Sequence, residues 1–118
     1  MQYEYFYGAQ AEQFSFYRIP KALFTEPNFR ELSTDAKVLY GILLDRMSLS
    51  LKNQWLDAQN KVYIIFTVEE IMDALNCANQ KASRLMVELE KDAGLIERKR
   101  QGLGKPSLIY VKNFAVPS

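Results

Sequence analysis

The chain has 118 residues, 48% of them hydrophobic, which suits one domain with a single sizeable core. No apolar stretch approaches the roughly 20 residues that cross a bilayer, and the opening Met1-Gln2-Tyr3-Glu4-Tyr5-Phe6-Tyr7-Gly8 lacks the basic-then-apolar order of a signal peptide. A soluble, cytoplasmic protein without membrane attachment is expected. With no histidine and one cysteine, Cys77, the chain cannot form an internal disulfide, assemble the usual zinc or haem ligand sets, or build a Ser-His or Cys-His nucleophile. Neither an enzyme nor a protein needing a cofactor or metal is expected.

The net charge of +1 conceals a gradient. Residues 1–60 carry 6 Lys/Arg against 7 Asp/Glu, whereas residues 61–118 carry 9 against 7. Within 97–112, Arg98, Lys99, Arg100, Lys105 and Lys112 face only Glu97, a density that suits either a solvated face or a phosphate-binding surface.

In chain order, residues 1–17 come first as an aromatic arm holding Tyr3, Tyr5, Phe6, Tyr7, Phe14, Phe16 and Tyr17, with a polar spacer at residues 9–13. Such an arm either covers its own core or crosses to a second subunit. A free one would leave a large exposed apolar patch, so homodimerisation through Tyr3, Tyr5, Phe6, Tyr7, Phe14 and Phe16 is expected. After Pro20, a short amphipathic segment leads to the turn Glu26-Pro27-Asn28. Ser33-Thr34-Asp35 supplies caps for a helix whose apolar positions Ala36, Leu39, Tyr40, Leu43, Leu44 and Met47 form one buried face.

Val62-Tyr63-Ile64-Ile65-Phe66 reads as a short buried strand, and Thr67 and Glu70 form a capping box that starts a helix running to about Leu75. The break at Asn76-Cys77 is brief, with Cys77 a small packed residue that has no partner thiol. A second helix over residues 79–91 carries the apolar stripe Ala78, Ala82, Leu85, Met86 and Leu89, so the pair reads as a helix-turn-helix. Gly94 sits at the C-cap, and strands beginning at Leu95-Ile96 and at Leu108 flank a basic, glycine-containing hairpin. The fold class is therefore mainly α with a small antiparallel β-sheet, a winged helix-turn-helix.

Opposite its apolar stripe the second helix presents Gln80, Ser83, Arg84, Val87 and Lys91, with Asn79 and Lys81 at the edges. Asn and Gln match adenine edges, Arg forks onto guanine, and Val can meet a thymine methyl, as a recognition helix in the major groove requires. Such a face also suits an ordinary solvated helix; the neighbouring hairpin tips the balance, since Arg98, Lys99, Arg100, Gln101 and Lys105 would lie over flanking phosphates as a wing. Gly102-Leu103-Gly104-Lys105 is not a phosphate loop, because the glycine spacing is wrong and Pro106 follows the lysine. Glu69-Glu70 and Glu88-Glu90 read as capping and solvated carboxylates.

Five segments carry a resemblance: Phe16-Tyr17-Arg18-Ile19-Pro20-Lys21; Leu32-Ser33 through Ala36-Lys37 to Leu39-Tyr40; Leu43-Leu44-Asp45-Arg46-Met47-Ser48-Leu49-Ser50; Val62-Tyr63-Ile64-Ile65-Phe66-Thr67; and Gly94-Leu95-Ile96-Glu97-Arg98-Lys99-Arg100-Gln101-Gly102-Leu103-Gly104-Lys105-Pro106. Together they resemble the N-terminal domain of RepA-type initiators of theta-replicating plasmids in low-GC Gram-positive bacteria, over residues 14–114. The resemblance implies binding of double-stranded DNA at iteron repeats of a plasmid replication origin, as a dimer, to initiate plasmid replication. It also implies a separate C-terminal domain, absent here, that engages host replication factors. The expected organisation is an arm over residues 1–17, the DNA-binding domain over 18–114 and the start of a linker at 115–118. The residues leave two other readings open, an autonomous winged-helix transcriptional repressor and a protein-interaction module that does not bind DNA.

Overall fold

The computed structural model describes residues 2–8 and 13–115; most of the expected spacer, residues 9–12, and the expected linker residues 116–118 lie outside them. Helices α1 (Ala22–Thr25), α2 (Thr34–Lys52), α3 (Val68–Leu75) and α4 (Asn79–Val87) precede strands β1 (Ile96–Lys99) and β2 (Leu108–Val111), with a 3₁₀ turn at Pro27–Phe29 and a π-helical turn at Glu88–Asp92. The mainly α, winged helix-turn-helix class is thus the one the sequence indicates. No helix among the described residues is long and apolar enough to cross a membrane.

Helix α2 begins where Ser33, in extended conformation, accepts a hydrogen bond from Ala36 N–H at 3.2 Å. It buries Ala36, Leu39, Tyr40 and Leu43 as its spacing predicts, with Leu44 and Met47 half-buried beside them. It runs on to Lys52, past the end of the apolar stripe, and buries Ser50, whose Oγ donates back to the Arg46 carbonyl. Near its middle Gly41 lets the chain pass closely. A Cβ there would lie 2.9 Å from the Arg18 carbonyl oxygen and from the Ile19 side chain, so Gly41 is what allows the root of the arm to lie on the core. Burial pushes the Tyr40 hydroxyl up to about 12, and that hydroxyl donates to the Lys112 carbonyl at 2.7 Å, tying α2 to the chain just after β2.

The capping box on α3 is fully formed: Thr67 Oγ accepts from Glu70 N–H at 3.1 Å while the Glu70 carboxylate accepts from Thr67 N–H at 3.0 Å. The helix stops at Asn76, whose left-handed backbone (φ 52) turns the chain towards α4 within three residues. Ala82, Leu85 and Met86 of α4, with Leu89 beyond it, join Leu39, Leu43, Ile64, Ile71, Leu95, Ile96 and Ile109 in one core cluster. Gly94, at φ 67, makes the positive-φ turn from the π segment towards β1.

The strand expected at residues 62–66 forms only in part. Its pairing is divided between two partners: Val62 bridges Leu56 in a local hairpin, and Ile64 alone bridges Ile109 of β2, with both backbone bonds at 2.9 Å. It adds a single rung beside the two-stranded sheet, in which Ile96 pairs with Val111 and Lys99 with Leu108. Asp57 holds the local hairpin to β2. Its carboxylate accepts from Lys61 N–H, Gln59 N–H and the Tyr110 hydroxyl, and the first of these is the main reason its pKa lies below the usual carboxylate range.

Residues 13–17 and the described stretch 2–8 are exposed throughout. The arm has its own aromatic order, Phe6 edge-on to Phe14 at 6.2 Å and Phe14 edge-on to Phe16 at 6.4 Å, yet Phe6, Phe14 and Phe16 keep more than half their surface in solvent. The core leaves these three rings largely uncovered. The radius of gyration, 16.1 Å, exceeds the roughly 13.5 Å of a compact chain of this length, as a projecting segment requires.

Candidate nucleic-acid interface

Burial of Ala82, Leu85 and Met86 turns the opposite face of α4 outwards, leaving Asn79, Gln80, Arg84, Val87 and, beyond it, Lys91 exposed, with Lys81 and Ser83 half-buried at the margins. Residues 80, 84, 87 and 91 follow the three-and-four spacing of a single helical stripe. The N-cap residue Ala78 has no side-chain acceptor, so the first turn carries N–H groups without a capping side chain, a favourable place for a phosphate oxygen.

Beside this face stands the hairpin of β1 and β2. Its tip turns at Gly102 (φ 118) and Gly104 (φ 76), backbone that a side chain would strain. Gln101 braces the loop by donating from Nε2 to the Pro106 carbonyl at 2.8 Å. Lys99, Arg100 and Lys105 are exposed, and among the described residues their side chains make no ion pair. Between the hairpin and the starts of α3 and α4 lies a cleft of about 420 Å³, whose walls include Asn79, Lys105 and Ser107.

Two of the expected contact residues are engaged within the molecule. Lys81 Nζ lies 2.6 Å from the Asp35 carboxylate in the first turn of α2, and Arg98 is held by Glu90. Glu88, read from the sequence as capping or solvated, does cap, but for a distant helix: its carboxylate accepts from the Ser33 hydroxyl at 2.9 Å and from Ser33 N–H, at the start of α2. The only sequence signal for these ties was two acids flanking Leu89, a residue of the apolar stripe. Partial burial pushes the Glu90 carboxyl up, but hydrogen bonds from the Arg98 side chain and N–H, with its positive charge, outweigh this and hold it below the usual range.

The Asp35–Lys81 pair sets a measurable limit on the helix. Asp35→Asn frees a cation on the edge of α4 and is expected to raise affinity for random duplex about 2- to 5-fold, the scale of an exposed ion pair. The melting temperature should fall only slightly, through weaker charge at the α2 N-terminus. Unchanged affinity in a titration at fixed salt would show that Lys81 does not face the duplex.

Residues 15–118 match the family model for the replication initiator protein A (RepA) N-terminus. A 41 kDa protein of Lactobacillus helveticus is 32% identical over 87 residues, 74% of this chain but 24% of that protein, so the chain spans about a quarter of that relative's length. Among solved structures, one described as the N-terminal domain of a DNA-binding protein is 38% identical with a TM-score of 0.77, over 95% of this chain and 85% of that one. A Rep–DNA complex is 38% identical with a TM-score of 0.76, over 93% of this chain and 84% of that one. An MDR initiator, also 38% identical, has a TM-score of 0.73, over 93% and 86% of the two chains. The chain belongs to the RepA N-terminal family of replication initiators, and its fold is of the winged-helix class.

Proposed function

We propose that this domain binds double-stranded DNA at iteron repeats of a plasmid replication origin in the cytoplasm, as the origin-recognition part of an initiator. The observation that carries the reading is the exposed stripe of α4 flanked by a cationic hairpin, on a fold shared with a Rep–DNA complex. Asn79, Gln80, Lys81, Ser83, Arg84, Val87 and Lys91 read or border the major groove, while Lys99, Arg100 and Lys105 contact phosphates and Gln101 shapes the wing tip. Host replication factors are engaged through a further C-terminal domain, and no step of this reading requires catalysis. Footprinting on the plasmid's own origin should show protection of repeated sites, and affinity there should exceed that for random duplex by about a thousandfold or more at physiological salt. Equal retention of both duplexes overturns specific recognition, and a single protected operator outside the origin favours a repressor.

The exposed aromatic arm supports a homodimer. Deleting residues 1–17 should convert a dimer to a monomer in light scattering, because Phe6, Phe14 and Phe16 find on a second subunit the cover that their own core does not give. An unchanged mass overturns this role. In the dimer, two α4 helices would address half-sites about one helical turn apart, or a multiple of it.

A further inference from the structure

We propose that Glu90 and Arg98 form a positioning latch that sets the pitch of the wing against the recognition helix, and that Arg98 serves this purpose and not phosphate contact. This rests on the reading of α4 and the hairpin as the two halves of a DNA interface. The chain passes from one half to the other through the π-helical turn Glu88–Asp92, where Ala93 N–H bonds the Glu88 carbonyl at 3.0 Å. Such turns occur mostly as single-turn bulges in α-helices, frequently at functional sites. Here Leu89 is fully buried, and the acids on either side of it are sent to different elements: Glu88 to Ser33 at the head of α2, Glu90 to Arg98 on β1.

The second tie is the stronger. Glu90 Oε2 accepts from the Arg98 backbone N–H at 3.2 Å, and Oε1 accepts from Arg98 Nε at 3.0 Å and Nη2 at 2.8 Å. Three bonds from one carboxylate to one residue fix both the strand and its side chain, and charge-assisted bonds of this kind are the strong ones. The pair is also sheltered, with side-chain exposures of 31% for Arg98 and 22% for Glu90. Arg98 pairs with Ile109, one pair short of the end of the ladder at Lys99 and Leu108, so the latch grips the ribbon just below its loop and leaves only the tip, with Arg100 and Lys105, beyond it. A guanidinium already forked onto a carboxylate has its charge compensated and neutralises a phosphate only at the expense of that pair.

The experiment compares Glu90→Gln, Arg98→Gln and the double variant in this domain. Without DNA, amide hydrogen exchange across β1 and β2 should quicken about tenfold in Glu90→Gln while α2 is unaffected. On origin duplex, each single variant should bind about tenfold more weakly, the double no worse than either, with the salt dependence of wild type retained. Exchanging the charges, Glu90→Arg with Arg98→Glu, restores the ion pair but not the bond from the residue-98 N–H, since a guanidinium accepts nothing, and should recover only part of the loss. The proposal is overturned if Arg98→Gln lowers the salt slope by about 0.9 while Glu90→Gln tightens binding, since that is the behaviour of a phosphate contact released from its competitor. If wild type fails to retain any duplex, the DNA reading itself falls, and the exchange measurement alone then decides the latch: unaltered strand exchange overturns it.

Discussion

Replacing Lys99, Arg100 and Lys105 together with glutamine is expected to weaken binding to every duplex alike and to flatten its dependence on salt. The three side chains are exposed, make no ion pair among the described residues, and extend from a ribbon whose tip is braced by Gln101. A cation that neutralises one phosphate releases about 0.9 of a counterion, so losing three lowers the slope of log affinity against log salt by about 2.7. Across a fourfold rise in salt the variant then loses roughly forty-fold less affinity than wild type. Because phosphates are the same at every base pair, the ratio of origin to random affinity should stay near its wild-type value. Thermal stability should barely change, since exposed charges contribute little to folding. An unchanged slope in fluorescence titrations at several salt concentrations would place the wing away from the backbone.

That the wing is cationic could be read from the sequence, because five basic residues against one acid in sixteen positions is a local property. So could α3, whose capping box needs only Thr67 and Glu70, and the outward face of α4, which follows once Ala82, Leu85, Met86 and Leu89 are assigned inwards. Local rules fail where partners are distant. Residues 62–66 have strand composition, but which backbone pairs with Val62 and which with Ile64 depends on Leu56 and Ile109, and the answer leaves single bridges where a strand was expected. The end of α2 was hidden for a related reason: Leu49 and Leu51 are exposed, so the stripe that identifies the helix fades before the helix does.

The candidate site shows the same division. Residue types marked out the exposed stripe of α4 and the cationic hairpin, but a carboxylate's charge does not reveal its partner. Asp35 meets Lys81, Ser33 meets Glu88, and Glu90 meets Arg98 only because α2, α4 and β1 converge around Leu89. These ties draw Arg98 and Lys81 into internal pairs and leave Arg84 without one among the described residues. The polar frame of the interface therefore sorts its cations into those that hold the elements and those that meet solvent.

Arg84→Ala is accordingly the point substitution with the largest expected effect on recognition. Arg84 lies in the middle of the exposed stripe, between Gln80 and Val87, where a recognition helix meets base edges most directly. If its guanidinium forks onto the O6 and N7 of a guanine, truncation should cost about 1 to 3 kcal/mol at the cognate site, about 5- to 150-fold in affinity. Affinity for random duplex should fall much less, so the loss appears as relaxed preference at one position of the site, and the salt slope should drop by no more than about one contact. Folding should be nearly unaffected, since the side chain is exposed and alanine favours the helix. Binding measured against a set of duplexes mutated one base pair at a time distinguishes the outcomes. Loss confined to a single guanine identifies Arg84 as a base reader, equal loss at every position makes it a backbone contact, and no loss removes it from the interface.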